Sequence, residues 1–412
     1  MKRFSALLAS FAIALALTGC GGQGSSSDAP IDFKVTAGDA SVTATWTAVE
    51  GVDYWIFYAA ADNITTTNWV SLNGRVLTKA TSPQVISGLT NGTLYSFTIN
   101  GRKDGGPGGP GTPSQSATPR LSGINWNVGP SIGTERLTGV AVGAVPEGAG
   151  RVAVSETGKI YTSVTTGDFA AQTSPVPTSG LNTVVYSSPG FVIGGANGTV
   201  LQSVDARTWT SVSSNTGQAL YGAGSAGLGN YALVGAAGTI ITSANGTEWA
   251  LRASGTTATL RAVTYGGGNY VAVGDGGTIL TSANGTSWAA VAPVTSAALR
   301  AVGYVALSAT AADGTITVTG IYVAVGEAGT LLTSNDAATW TLRPALGTST
   351  LNAIVYGGQF VTVGDNGAIF TSPDGVNWTA RTSGTTRHLT SVARSATGYV
   401  AAGDAGTYLI SN

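Results

Sequence analysis

The chain of 412 residues has 60 glycines, 43% hydrophobic residues and only 9% charged ones, which excludes a disordered chain and leaves room for two or three domains. The formal net charge of −1 offers no basic surplus, so a nucleic-acid partner is not expected. Small, β-branched and aromatic residues set between frequent turn signals predict an all-β protein.

The N-terminus pairs a charged stretch, Lys2 and Arg3, with an apolar run from Phe4 to Leu17, too short for a comfortable membrane span. It ends in Leu17-Thr18-Gly19-Cys20, which resembles a bacterial lipobox. The resemblance implies a lipoprotein signal peptide over 1–19 and lipidation of Cys20, the single cysteine in the sequence. Gly21 in place of Asp implies, by similarity to sorting in Gram-negative lipoproteins, the outer membrane or the cell surface. Residues 20–29 then read as a flexible Gly/Ser tether.

From 30 to 119, strand-like runs alternate with turn clusters. "SVTATWTAV" puts Val42, Ala44 and Trp46 on one face of a strand. "GLTNGTLYSF" is similar to the tyrosine corner of fibronectin type III domains, which implies a β-sandwich with Tyr95 in the corner and Trp46 in the core. Arg102-Lys103-Asp104 reads as a solvated charge cluster in a loop.

The rest of the chain, 120–412, repeats itself. "YVAVGDGGTILTSANGTSW", ending at Trp288, has close copies ending at Trp249, Trp340 and Trp378, with Phe169 and Trp209 marking two further units. A period of about 40 residues signals a propeller or a solenoid. Each unit offers four short strands, as in "LRAVTYG", "NYVAVG", "GTILTS" and "SWAAVAP", the content of one propeller blade. First strands opening at Leu137, Leu181, Leu220, Leu260, Leu299, Leu351 and Leu389 make seven units. The last stops at "TYLISN", one strand short, while "INWNVGPSIGTE" stands unclaimed before the first unit and matches "VNWTARTSGTTR". Ile124–Val128 is therefore expected to complete the seventh unit and close the ring, removing a free sheet edge. In the fifth unit "ALSATAADGTITVTG" lengthens the link between first and second strands, which predicts an extended hairpin on the tryptophan side.

Before each tryptophan stands Ser-x-Asp/Asn, as in Ser203-Val204-Asp205 with Trp209, and this resembles the Asp-box, or BNR, repeat. Asp205, Asn245, Asn284, Asp336 and Asp374 are expected to cap their own turns, with Trp209, Trp249, Trp288, Trp340 and Trp378 packed between sheets. The whole of 124–412 is similar to the seven-bladed Asp-box propellers of the photosystem II assembly and stability factor family, through phrases of the type VGxxGTIxTSxDGxxW. These residues are structural. Sialidase-type Asp-box propellers use an arginine triad and an Arg-Ile-Pro signature absent here. His388 is the lone histidine, which leaves little scope for a catalytic triad or a metal centre. No catalytic residue, cofactor or metal is assigned.

Two sets of positions vary while the scaffold repeats. The second residue of each first strand, Thr138, Asn182, Tyr221, Arg261, Arg300, Asn352 and Thr390, should ring one mouth of the central channel. The turn between second and third strands carries Glu156, Asp275, Glu327, Asp365 and Asp404, an acidic arc on the same face. Arg261 and Arg300 suit a carboxylate, and the arc offers the opposite charge further out. The expected protein is a lipid-anchored, monomeric binding or scaffold protein of the bacterial cell envelope that meets the membrane through its anchor alone. Its partner is a protein; the alternative is a glycan-binding or glycan-cleaving propeller.

Overall fold

The computed structural model describes residues 24–164, 168–310 and 316–411. The expected signal peptide over 1–19 and the expected lipidation site Cys20 lie outside them. The described chain forms two compact units, one drawn mainly from residues up to Thr118 and one mainly from Pro119 onward.

The first unit consists of two antiparallel sheets. In one, Tyr95–Lys103 is flanked on one edge by Asp53–Ala59, with Arg75–Ala80 beyond, and on the other by Ser25–Ser27 and Gln115–Ala117. Lys34–Gly38, Ser41–Thr45 and Gln84–Ser87 make the other. Val42, Ala44 and Trp46 are buried, and Trp46 meets Tyr54 edge-on at 5.5 Å. Two expectations need correction. Ser25–Ser27 is not free tether: it pairs with Gly101–Lys103, because an exposed strand edge offers its backbone groups to any extended neighbour. Arg102 is not simply solvated: its guanidinium lies 3.5 Å from the centre of the Trp55 ring, a cation–π contact, while Lys103 and Asp104 are exposed.

The second unit is a β-propeller. Among the described residues it contains seven four-stranded antiparallel sheets. Their inner strands are Leu137–Val145, Leu181–Ser187, Leu220–Gly227, Leu260–Gly266, Leu299–Thr310, Leu351–Tyr356 and Leu389–Arg394, and they number the sheets from first to seventh. Each inner strand lies against the next, and the seventh lies against the first. The outer strand of the seventh sheet is Trp126–Val128, paired with Leu409–Ser411. Trp126 is buried among Val361, Val363, Leu389 and Tyr399, so nonlocal pairing closes the unit with an aromatic core.

The second strands show no in–out alternation of burial. In Tyr270-Val271-Ala272-Val273-Gly274 every residue is buried, and the same holds for Gly190–Gly195 and Tyr399–Gly403. Such a strand has a neighbouring sheet on each face, so what alternates is side-chain size rather than polarity. In the fifth sheet the first two strands run on to Thr310 and Ile316, which are paired, so the lengthened hairpin is present; 311–315 lie outside the described residues.

Each sheet is a simple meander. The turns between second and third strands and the links to the next sheet therefore share one end, here called the mouth. The Asp-box turns and the hairpins between first and second strands share the other.

Candidate functional site

The seven ring positions owe their orientation to a repeated backbone irregularity. In every sheet the pairing of the inner strand skips one residue after its leading leucine, as between Leu260 and Ala262 or Leu299 and Ala301. Thr138, Asn182, Tyr221, Arg261, Arg300, Asn352 and Thr390 are the skipped residues. A bulge re-aims the side chain of its extra residue, here at the mouth. The facing turn is held tightly. Asp275 N–H donates to Thr259 O and Thr278 N–H donates back to Asp275 O. Gly277 has φ +72°, and a Cβ there would fall 1.9 Å from Thr295 O, so only glycine fits.

The ring is of two kinds. Thr138 Oγ1 donates to Leu181 O at 2.5 Å and Asn182 Nδ2 to Leu220 O at 3.0 Å. Asn352 Nδ2 donates to Leu389 O at 2.9 Å, and Thr390 Oγ1 to Leu137 O at 2.6 Å. In each case the acceptor is the leading leucine of the next sheet. These four side chains latch one sheet to its neighbour. Tyr221, Arg261 and Arg300 make no such bond among the described residues, and they stand in three consecutive sheets, the third to the fifth.

Three of the acidic positions, Asp275, Glu327 and Asp365, pair with this ring rather than lying apart from it. Arg261 Nε and Nη2 hold Asp275 at 2.8 and 2.9 Å, a two-pronged pair, and the Arg261 guanidinium sits 5.4 Å from the Tyr221 ring of the preceding sheet. Arg300 Nη2 holds Glu327 at 2.5 Å. The Arg261 bond holds the Asp275 carboxyl below the usual range and, in return, raises Arg261; the Arg300 and Glu327 charges act in the same directions across the sheet boundary. The expected separation of an acidic arc from the two arginines is thus corrected for Asp275 and Glu327. Opposite charges placed on one turn by the bulge neutralise each other locally, giving two neighbouring ion pairs of alternating sign. Asp365 accepts from Asn352 Nδ2 at 2.9 Å and has His388 Nδ1 at 3.0 Å, and Asp404 lies 3.4 Å from Arg136. Glu156 is exposed.

Arg136 was not singled out in the sequence, and His388 only as the lone histidine, yet each occupies the residue just before an inner strand, a position that varies from unit to unit. Glu135 was missed too. Its side chain is largely covered, accepts from the Tyr161 hydroxyl and lies 3.2 Å from Lys159 Nζ. Burial opposes its charge, but the Tyr161 hydroxyl and backbone N–H groups outweigh that and bring its pKa down to about 2. It anchors the segment joining Trp126–Val128 to the first sheet. Among the described residues no group of three or more His, Cys, Asp or Glu could hold a metal ion.

At the opposite end the Asp-box residues cap their turns. Asp205 Oδ1 accepts from Ser203 Oγ and from the N–H groups of Arg207 and Thr208, all within 2.9 Å. Asn245, Asn284, Asp336 and Asp374 repeat the pattern. Burial works against the Asp205 charge, but these donors prevail and lower its pKa to about 2; Asp374 behaves alike. Trp249, Trp288, Trp340 and Trp378 each donate from Nε1 to the carbonyl three residues back, at 3.0 to 3.2 Å. Trp249 packs on Tyr231, whose hydroxyl donates to Ser187 O in the preceding sheet. The box and its tryptophan are structural.

No family model matches the chain, and no curated protein matches it in sequence. In structure it resembles β-propellers. YCF48 bound to a D1 peptide superposes with a TM-score of 0.55 at 16% identity, over 69% of this chain and 96% of that one. Virginiamycin B lyase from Staphylococcus aureus gives 0.55 at 10% identity, over 70% and 99%. The WD40 repeats of RRP9 give 0.54 at 10%, over 70% and 97%. A peptide-bound protein and a lyase thus share this fold, so the fold leaves the choice between binding and catalysis to the site.

Proposed function

We propose that the chain is a binding protein, without catalytic activity, whose propeller recognises a protein partner at the mouth through Tyr221, Arg261 with Asp275, and Arg300 with Glu327. The observation that carries this reading is the break in the latch: only the third to fifth sheets replace a small latching side chain with Tyr, Arg and Arg. Alternating charges beside an aromatic ring fit a peptide segment bearing both signs better than a neutral sugar. The peptide-bound state of YCF48, a propeller of similar fold, is consistent with such a use of the surface.

The seven sheets are read as seven blades and the first unit as a fibronectin type III-like sandwich over 30–119, serving as a spacer. Lipidation of Cys20 would anchor the chain in the bacterial envelope, at the outer membrane or cell surface. Changing Arg261 and Arg300 together to Ala and measuring capture of envelope proteins tests the site. Retained capture would remove the mouth from the reading, and hydrolysis of a glycan by the wild type would favour an enzyme. Changing Cys20 to Ser tests the anchor by membrane fractionation.

A further inference from the structure

The other end of the propeller holds a second site. Between the third and fourth sheets lies a groove of about 400 Å³. Its walls include Asn245, Glu248 and Arg252 of the third sheet and Asn284 and Thr286 of the fourth, with Tyr270 and Trp249 among the lining residues. Similar grooves occur beside other boxes, but their charges differ.

Three outer strands end in arginine: Arg252, Arg343 and Arg381. Each is pinned in the same way, its Nε donating to a threonine hydroxyl of the adjacent strand, at 2.8 Å to Thr242, 2.9 Å to Thr333 and 2.9 Å to Thr371. Pinning through Nε fixes the guanidinium and leaves its two terminal nitrogens for a ligand. In the fifth and sixth sheets the neighbouring box residue is a carboxylate, Asp336 and Asp374. Asp336 lines one groove with Arg343. In the third sheet it is Asn245.

The exchange changes one atom of consequence. In every box one side-chain oxygen receives the backbone N–H groups, which leaves the second atom to other partners, as in Asp374, whose Oδ2 accepts from Asn377 Nδ2 at 2.8 Å. In Asp336 that atom is a charged acceptor. In Asn245 it is an amide donor, and it makes no bond to the protein among the described residues. Asn284, across the groove, is again an amide. Arg252 forms no ion pair among the described residues, and Glu248 is exposed at the rim. This groove therefore combines a fixed, unneutralised guanidinium with two amides, several hydroxyls, one acidic acceptor and an aromatic floor.

We propose that this groove binds a saccharide bearing a carboxylate, a uronic-acid residue, with the carboxylate on Arg252 and ring hydroxyls on Asn245, Asn284 and Glu248. Dense donors and acceptors around one cation suit a hydroxylated anion of this size, whereas an apolar side chain would leave them unpaired. The site is independent of the mouth surface.

The test titrates the full chain with a galacturonate trisaccharide, its methyl-esterified neutral form, and acetyl-glycylglycine as a plain carboxylate. Binding of the galacturonate alone is expected. Arg252→Gln should weaken it at least about tenfold. Asn245→Asp should weaken it severalfold while the fold is kept, since Asp serves the same box in other sheets; unchanged thermal melting checks this. Changing Arg261 and Arg300 to Ala should leave it unaltered, which separates this site from the mouth. Equal binding of the neutral ester or of the dipeptide, no binding at millimolar galacturonate, or indifference to Asn245→Asp would each overturn the proposal.

Discussion

Two arcs of one ring share a backbone and differ in a single side chain per sheet. In the first, second, sixth and seventh sheets, a Thr or Asn on the bulge reaches the leading carbonyl of the next sheet. In the third, fourth and fifth, Tyr221, Arg261 and Arg300 occupy the same place and turn to charges within their own or adjoining sheets. The latched arc includes the point where the chain ends meet, between the seventh sheet and the first. The unlatched arc lies in its middle, where the backbone is continuous from sheet to sheet. One latch, Thr390 to Leu137, spans the seam; the other three join sheets that the backbone also links, so the latch accompanies most sheet junctions and is missing only from the third to the fifth sheets.

Breaking the seam should have the largest effect. Trp126 is buried against Tyr399, with ring centres 6.5 Å apart, and its Nε1 donates to Gly123 O at 2.9 Å. Trp126→Ala is expected to lower stability by about 3–5 kcal/mol, read from chemical denaturation. A loss below about 1 kcal/mol would mean that the closing strand contributes little.

A single latch should count for less. Thr390→Val keeps the shape but removes the donor to Leu137 O and Ala402 O, and is expected to cost about 1–2 kcal/mol without touching partner binding. The opposite pattern is expected on the unlatched arc. Changing Arg261 and Arg300 to Ala should leave stability within about 1 kcal/mol, as half-exposed ion pairs contribute little. Partner binding should fall at least tenfold, or about 1.4 kcal/mol. If the Thr390 and arginine variants behaved alike in both measurements, the division of the ring into two kinds would fail.

The smallest effect concerns acid. Asp205 and Asp374 have folded-state pKa values near 2 against an ordinary value of 3.8, so the stability they add is present above that ordinary value and fades as pH falls towards 2. Asn245 and Asn284 do the same capping without titrating. Replacing Asp205 and Asp374 by Asn should therefore flatten the fall in melting temperature between about pH 4 and pH 2, with little change at neutral pH. An unchanged acid limb would assign it to other groups, Glu135 first among them.

Much of this architecture was legible in the chain. The repeated tryptophan phrase marked the sheets, the box residues announced local caps, and the stray "INWNVG" announced its partner. These signals are local or self-similar: a turn capped by a side chain two residues away needs no knowledge of the rest of the fold. The site was legible only as a set of addresses. Thr390 and Arg300 occupy equivalent positions in their repeats, and nothing in either repeat says that one is a latch and the other is not. The acceptor of the latch belongs to the next repeat, and for Thr390 it lies at the far end of the propeller sequence, on Leu137. The bulge that aims these residues, the pairing of Arg261 with Asp275 across it, and the groove where Asn245 faces Arg252 depend on which backbones are brought together. Sequence alone determined the units and their caps, because those follow from near neighbours. Tertiary structure decided which variable residues latch the ring and which form ion pairs instead, because a hydrogen bond or an ion pair exists only once its partner has a place.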